Sequence, residues 1–184
     1  MDAGVAHLAN ASYLRNLEEL YLDDNQLFQE AARSLGQSQY LSRIVILSLS
    51  HNRIKKEGLA EIANSMNFGR LTHLYVEANK IKAGGVNDLA MSPHMVNLVH
   101  LNIKSNKVGN EGLQWLAVGS IRKLKYLNVQ HNVVGEDGFR VIAESENFTK
   151  LTELKIFDGN QGATTEAKNA LKRAHTLQAL RFIS

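Results

Sequence analysis

The pattern L-x-x-L-x-L-x-x-N-x-[LIV] recurs along this chain at nearly constant spacing, and no other feature restricts its fold so tightly. It is read at Leu17-Leu20-Leu22-Asn25-Leu27, Ile44-Leu47-Leu49-Asn52-Ile54, Leu71-Leu74-Val76-Asn79-Ile81, Leu98-Leu101-Ile103-Asn106-Val108 and Leu124-Leu127-Val129-Asn132-Val134. A looser copy starts Leu151-Leu154-Ile156, and a stub, Leu177-Leu180-Phe182, closes the sequence. The first positions of these copies are separated by 27, 27, 27, 26, 27 and 26 residues. A period in this range marks a chain of small units, each of which buries its apolar face only by stacking on its neighbours.

Each unit holds a strand, a turn and a helix. Leu47 to Ser50 alternates apolar and polar residues, as a strand does, and Gly58-Leu59-x-x-Ile62-Ala63 then places apolar residues on one helical stripe. The same helix block recurs at Gly85-Val86-x-x-Leu89-Ala90, Gly112-Leu113-x-x-Leu116-Ala117 and Gly138-Phe139-x-x-Ile142-Ala143. Parallel neighbouring strands, about 4.8 Å apart, need a crossover of roughly a dozen residues, usually helical. A repeat of this length closes that circuit. The Leu, Ile and Val of strand and helix then face one another, each contributing about 1.5 to 3 kcal/mol when fully buried. The stacked amides of Asn25, Asn52, Asn79, Asn106 and Asn132 are placed to satisfy turn backbone groups that the interior would leave unpaired, a structural role.

These residues resemble the leucine-rich-repeat family, and the G-[LVF]-x-x-[LI]-A helix block with its period of 26 to 27 residues is similar to the ribonuclease-inhibitor-like subclass. The resemblance covers essentially the whole chain. It implies an α/β fold: a right-handed α/β solenoid, a horseshoe segment with parallel strands on the concave face and helices on the convex face. Curvature follows because helices are wider than strands.

The expected organisation is one domain over 1–184, with a half-repeat or cap at 1–16, five regular repeats over 17–150, and an irregular repeat and strand over 151–184. Met1 to Asn10 matches the helix block at Gly4, Val5, Leu8 and Ala9, so the chain begins inside a repeat. It reads either as a capping helix or as a piece of a longer array. In the sixth repeat Gly159 falls at the Asn position with Asn160 after it, and the helix reads Ala167, Ala170, Leu171; a one-residue insertion near 159–165 accounts for both. The segment Leu177 to Ile183 is expected to form an edge strand and a route to self-association.

Strand positions between the core residues face the concave surface. One column reads Glu19, Ile46, His73, His100, Tyr126, Glu153 and Ala179; the next reads Tyr21, Ser48, Tyr75, Asn102, Asn128, Lys155 and Arg181; the third reads Asp23, Ser50, Glu77, Lys104, Gln130, Phe157 and Ile183. The candidate contact set is Tyr21, His73, Tyr75, His100, Asn102, Lys104, Tyr126, Asn128, Lys155 and Phe157, since aromatic and cationic side chains are typical interface anchors. The competing reading is that the rings are ordinary strand residues. His73 and His100 fall on adjacent strands, but zinc takes three or four protein ligands, so no metal site is expected. A pH-sensitive contact surface is the expected consequence of two neighbouring imidazoles.

Other motifs reduce to turns. "GNQGATT", Gly159 to Thr165, lacks the Lys of a phosphate-binding loop and reads as a capping loop. His51 and His131 share the position before the repeat Asn, which indicates a turn role. Asn10-Ala11-Ser12 and Asn147-Phe148-Thr149 are glycosylation sequons in form only.

Composition narrows function further. There is no Cys, which removes disulfides, thiolate metal sites and a Cys nucleophile. No apolar run approaches the roughly 20 residues of a membrane span. The net charge of +3 is spread as nine Lys and Arg against ten Asp and Glu before residue 93, and twelve against eight after it. Without a basic run, neither a nucleic-acid nor a membrane partner is expected.

The chain therefore reads as a non-enzymatic module that binds a protein partner through its concave face, with no catalytic residues and no cofactor. Cytoplasmic location, or translocation as a bacterial effector, fits this composition. The family resemblance also implies an alternative, a small-GTPase regulator of the GTPase-activating kind; an acidic tail and greater length, usual there, are not seen.

Overall fold

A computed structural model describes residues 2–184; Met1, the first residue of the expected half-repeat, lies outside them. Seven parallel strands form one sheet in chain order: β1 (Glu19–Tyr21), β2 (Ile46–Ser48), β3 (His73–Tyr75), β4 (His100–Asn102), β5 (Tyr126–Asn128), β6 (Glu153–Lys155) and β7 (Phe182–Ile183). Helix α1 (Asp2–Ala9) precedes them, and α2 (Gln29–Gly36), α3 (Lys55–Ala63), α4 (Lys82–Met91), α5 (Gly109–Val118), α6 (Glu136–Glu144) and α7 (Thr165–Arg173) form the crossovers. The architecture is an α/β solenoid. No helix among the described residues is long and apolar enough to cross a membrane.

The core lies between sheet and helices. Leu47, Leu74, Leu101, Leu127 and Leu154 from the strands meet Leu59, Val86, Leu113 and Phe139 from the helices, all at most 2% exposed. Helices α3 to α6 seat closely because their blocks carry a Gly: a Cβ on Gly58 would stand 2.7 Å from that of Ile54 and 3.2 Å from that of Ala32 on α2.

Two polar ladders close the turns. Asn106 accepts from the backbone N–H of Asn79 and Ile81 (2.9 and 3.2 Å) and donates to the carbonyls of Val76 and Ile103 (2.8 and 2.9 Å). Asn52, Asn79 and Asn132 make equivalent bonds. Asn25, at the start of the series, is half-buried and its amide donates only to Asp23 O, at 2.8 Å. The second ladder runs under the helix C-termini, where the hydroxyls of Ser38, Ser65, Ser92 and Ser145 donate to the carbonyls of Ala9, Gly36, Ala63 and Ala117 in the preceding repeat. The spacing of these serines was available in the sequence but drowned among ordinary turn residues.

Backbone conformation repeats too. His51 and His131 have φ of +57° and +54°, the left-handed turn conformation that Asp24, Ala78 and Ser105 also adopt before their Asn.

The last repeat differs from expectation. Strand β7 pairs Glu153 with Phe182, not with Ala179. His175–Leu177 is a short 3-10 turn, and Leu177 is buried in the slot that Phe68, Met95, Ile121 and Phe148 fill ahead of their strands. The segment thus serves the core first, and the edge strand is shorter than the pattern implied. The sixth repeat carries two extra residues rather than one. One enters before Asn160, which takes the ladder place by accepting from Asn132 N and Val134 N (2.9 and 3.0 Å); the other enters before Thr164, which caps α7 by accepting from Ala167 N at 3.1 Å.

Candidate functional site

The sheet's outward face is built by register alone. Pairing aligns His73 with His100 and His100 with Tyr126, so three ring-bearing residues occupy one column across β3, β4 and β5. Side chains in register on adjacent strands lie about 5 Å apart, within stacking distance. The His73 and His100 rings stack with centroids 5.3 Å apart, and His100 and Tyr126 at 3.8 Å with planes 5° apart. Tyr75, in the next column, tilts against His100 at 4.8 Å, and the Lys155 ammonium sits 5.7 Å from the Tyr126 ring centroid. Thr72 Oγ1 lies 2.8 Å from His73 Nδ1, fixing that ring.

Packing sets the electrostatics. Burial between its neighbours, then the adjacent His73 and Lys155, lowers His100 to about 4, so its ring is neutral at physiological pH. Burial first, then Tyr126, raises Tyr75. The cluster therefore offers a half-buried aromatic surface whose central imidazole, His100, is neutral, with the Lys155 ammonium at its margin.

Around it lie separate polar groups. Glu77 pairs with Lys104 at 3.2 Å and accepts from Asn102 Nδ2 at 3.3 Å, so Asn102 and Lys104 belong to a charged group beside the rings. The sequence columns carry Glu77 but not its pairing, so it stood outside the candidate contact set. Asn128 is buried and accepts from Gln130 N at 3.1 Å, a local turn bond. Tyr21 is remote, on β1, donating to Glu19 at 3.0 Å; that bond is the first cause of its raised pKa. Just past β1, Asp23 accepts from Ser48 Oγ at the end of β2 and from Ser50 N, at 2.5 and 2.7 Å.

Phe157 is a correction. Its ring lies 5.5 Å from Phe139 of α6 and beneath Lys168 of α7, so it closes the core of the last repeat instead of facing the concavity. The cause is the helix above it: Lys168 stands where α6 carries Phe139, and Phe157 turns inward to supply the missing ring.

Of the sequons, Asn147 spends both amide hydrogens on Leu116 O and Gly119 O (3.1 and 2.9 Å) and is 5% exposed, which makes it a structural residue. No group of three or more His, Asp or Glu that could hold a metal ion occurs among the described residues.

Fold and face together define a stacked-repeat solenoid whose concave sheet carries a ring-lined surface. A family model described as Leucine Rich repeat matches residues 44–63, 94–117 and 120–143. Those three stretches are recognisable leucine-rich repeats, and they fall on the strand, turn and helix units of the solenoid. No curated protein sequence matches it. Among solved structures it is similar to an internalin, inlF, from Listeria monocytogenes, at 20% identity and a TM-score of 0.61, over 98% of this chain and 50% of that one. The chain thus spans about half the length of that protein. A tropomodulin C-terminal domain from Caenorhabditis elegans aligns over 94% of this chain and 90% of that one, at 16% identity and a TM-score of 0.43.

Proposed function

We propose that this chain is a non-catalytic protein-binding module whose concave sheet grips a protein partner at the rings of His73, Tyr75, His100 and Tyr126. One observation carries the reading: a continuous ring stack crosses three strands at mid-sheet, only partly buried, with its central His100 neutral. Stacked rings gain about 0.5 to 1.5 kcal/mol beyond area burial, and rigid aromatic surface orders little on binding. Placement in the ribonuclease-inhibitor-like subclass is part of the proposal, supported by helices of eight to ten residues in the repeats from α2 to α7.

The test is capture of a protein partner by the immobilised chain, with the hit verified as a purified binary complex by calorimetry. Tyr75→Ala with Tyr126→Ala should lose the complex and keep the native melting transition. Gln114→Ala on the convex α5 should bind as the parent does; Glu61 is a poorer control, since it accepts from Arg33 at 2.9 Å between helices. Binding unaffected by the double change would overturn the site.

A further inference from the structure

A second surface lies on the other side of the molecule, where the last two helices part. A groove of about 690 Å³ separates α6 from α7. Its origin is in the sequence: Ala167 stands on α7 at the place of Gly138 on α6, so the helix block loses the glycine that from α3 to α6 lets one helix seat on the one before. A Cβ at Gly138 would meet Val134 Cγ1 at 2.4 Å and Asn110 Oδ1 at 2.8 Å, a measure of how close the regular approach is. Ala143, Ala167 and Ala170 line the floor, with Phe139 beneath them. Ala63 and Ala90, the counterparts of Ala143 in α3 and α4, are fully buried, whereas Ala143, like Ala117 of α5, is only partly buried.

The rim is acidic. Glu136, Asp137, Glu144 and Glu166 border the groove, and the single cation there, Arg140, is bound to Asp137 at 2.6 Å. Among the described residues Glu136, Glu144 and Glu166 enter no ion pair. Carboxylates at a helix N-terminus are favoured by the helix dipole, which accounts for Glu136 and Glu166. It does not account for Glu144, the last residue of α6, where the dipole disfavours a negative charge. An apolar floor with a negative rim, on a chain of net charge +3, selects its occupant by charge.

We infer that the α6–α7 groove is a docking site for a cationic amphipathic helix of a protein partner, its Leu-sized side chains on the alanine floor and its Lys or Arg side chains on the glutamates. On α6 the lining runs from Glu136 to Glu144, nine residues or about 13 Å, which matches roughly two turns of a bound helix. The site is independent of the concave face.

The probe is a short fluorescein-labelled peptide with Lys and Leu in helical pattern, followed by anisotropy and by amide chemical shifts of the labelled protein. Shifts should concentrate on α6, α7 and the Gly162–Thr164 loop, and affinity should fall with salt. Glu144→Lys with Glu166→Gln should weaken binding about tenfold. Ala170→Trp, on an exposed position that fills the groove without touching the core, should do the same. The concave Tyr75→Ala, Tyr126→Ala protein should bind as the parent does, which separates failure here from failure of the concave site. Absent binding, shifts centred elsewhere, or unchanged affinity in both groove variants would overturn the assignment.

Discussion

His100 lies face to face with Tyr126, ring centroids 3.8 Å apart and planes 5° from parallel. Its pKa is lowered to about 4 by burial, then by His73 and Lys155. The unfolded chain returns it to about 6.5. Between those values the unfolded state binds the proton and the folded state does not, so stability falls as the pH drops from about 6.5 towards 4 and this contribution levels off below. Urea midpoints of the parent should drop more between about pH 7 and pH 4.5 than those of His100→Gln. Equal drops in the two proteins would show that His100 titrates normally.

The two polar ladders differ from the ring cluster in what their loss should do. Asn106, fully buried with bonds in three directions, should cost about 1 to 3 kcal/mol when changed to Ala. Ser92→Ala, which strands Ala63 O and His94 N, belongs in the same range. Asn25→Ala should cost clearly less, because its amide is half-buried with a single bond. Thermal melts of the three variants rank them directly, and a cost at Asn25 equal to that at Asn106 would contradict the ladder's energetic order.

Val133 holds φ of +60°, which a β-branched residue tolerates poorly, and its side chain is 52% exposed. Left-handed backbone costs a residue with a Cβ roughly 1 to 2 kcal/mol, and Asn relieves part of it through local hydrogen bonding. Val133→Asn should therefore stabilise the chain by about 1 kcal/mol, read as a higher urea midpoint. A lower midpoint would mean that Val133 packs rather than strains.

How far these features could be read from the residues depends on whether periodicity encodes them. The strands and the α3 to α6 helices were legible because apolar spacing of two and then of three and four residues is a direct image of burial. The ring column was legible because register follows from the period: His73, His100 and Tyr126 share a phase. What the period could not deliver is the repeat where it breaks. Two added residues in repeat six move the ladder to Asn160 and shift β7 onto Phe182, while Lys168 at the place of a helix ring leaves Phe157 to turn inward. A pattern match slides to the nearest Leu, Leu177, whereas packing assigns that Leu to the core. Nor does a column show which polar side chains combine, so the Glu77 group emerged only from distances.

Phe157 gives the sharpest separation between holding the fold and holding a partner. In sequence it shares a phase with Glu77 and Lys104, yet its ring rests on Phe139 at 5.5 Å with the Lys168 ammonium 5.4 Å from its centroid. Burying a ring against the core contributes through area and through the cavity its removal leaves, and partial exposure reduces both. Phe157→Ala should lower stability by about 2 kcal/mol, at the lower side of large-to-small core changes. Lys168→Met, which keeps the aliphatic stem over the ring and removes the charge, should leave stability within about 0.5 kcal/mol of the parent. Concave partner binding by Phe157→Ala, measured well below its melting temperature, should match the parent. A variant that melts normally but fails to bind would return Phe157 to the concave surface and remove it from the core.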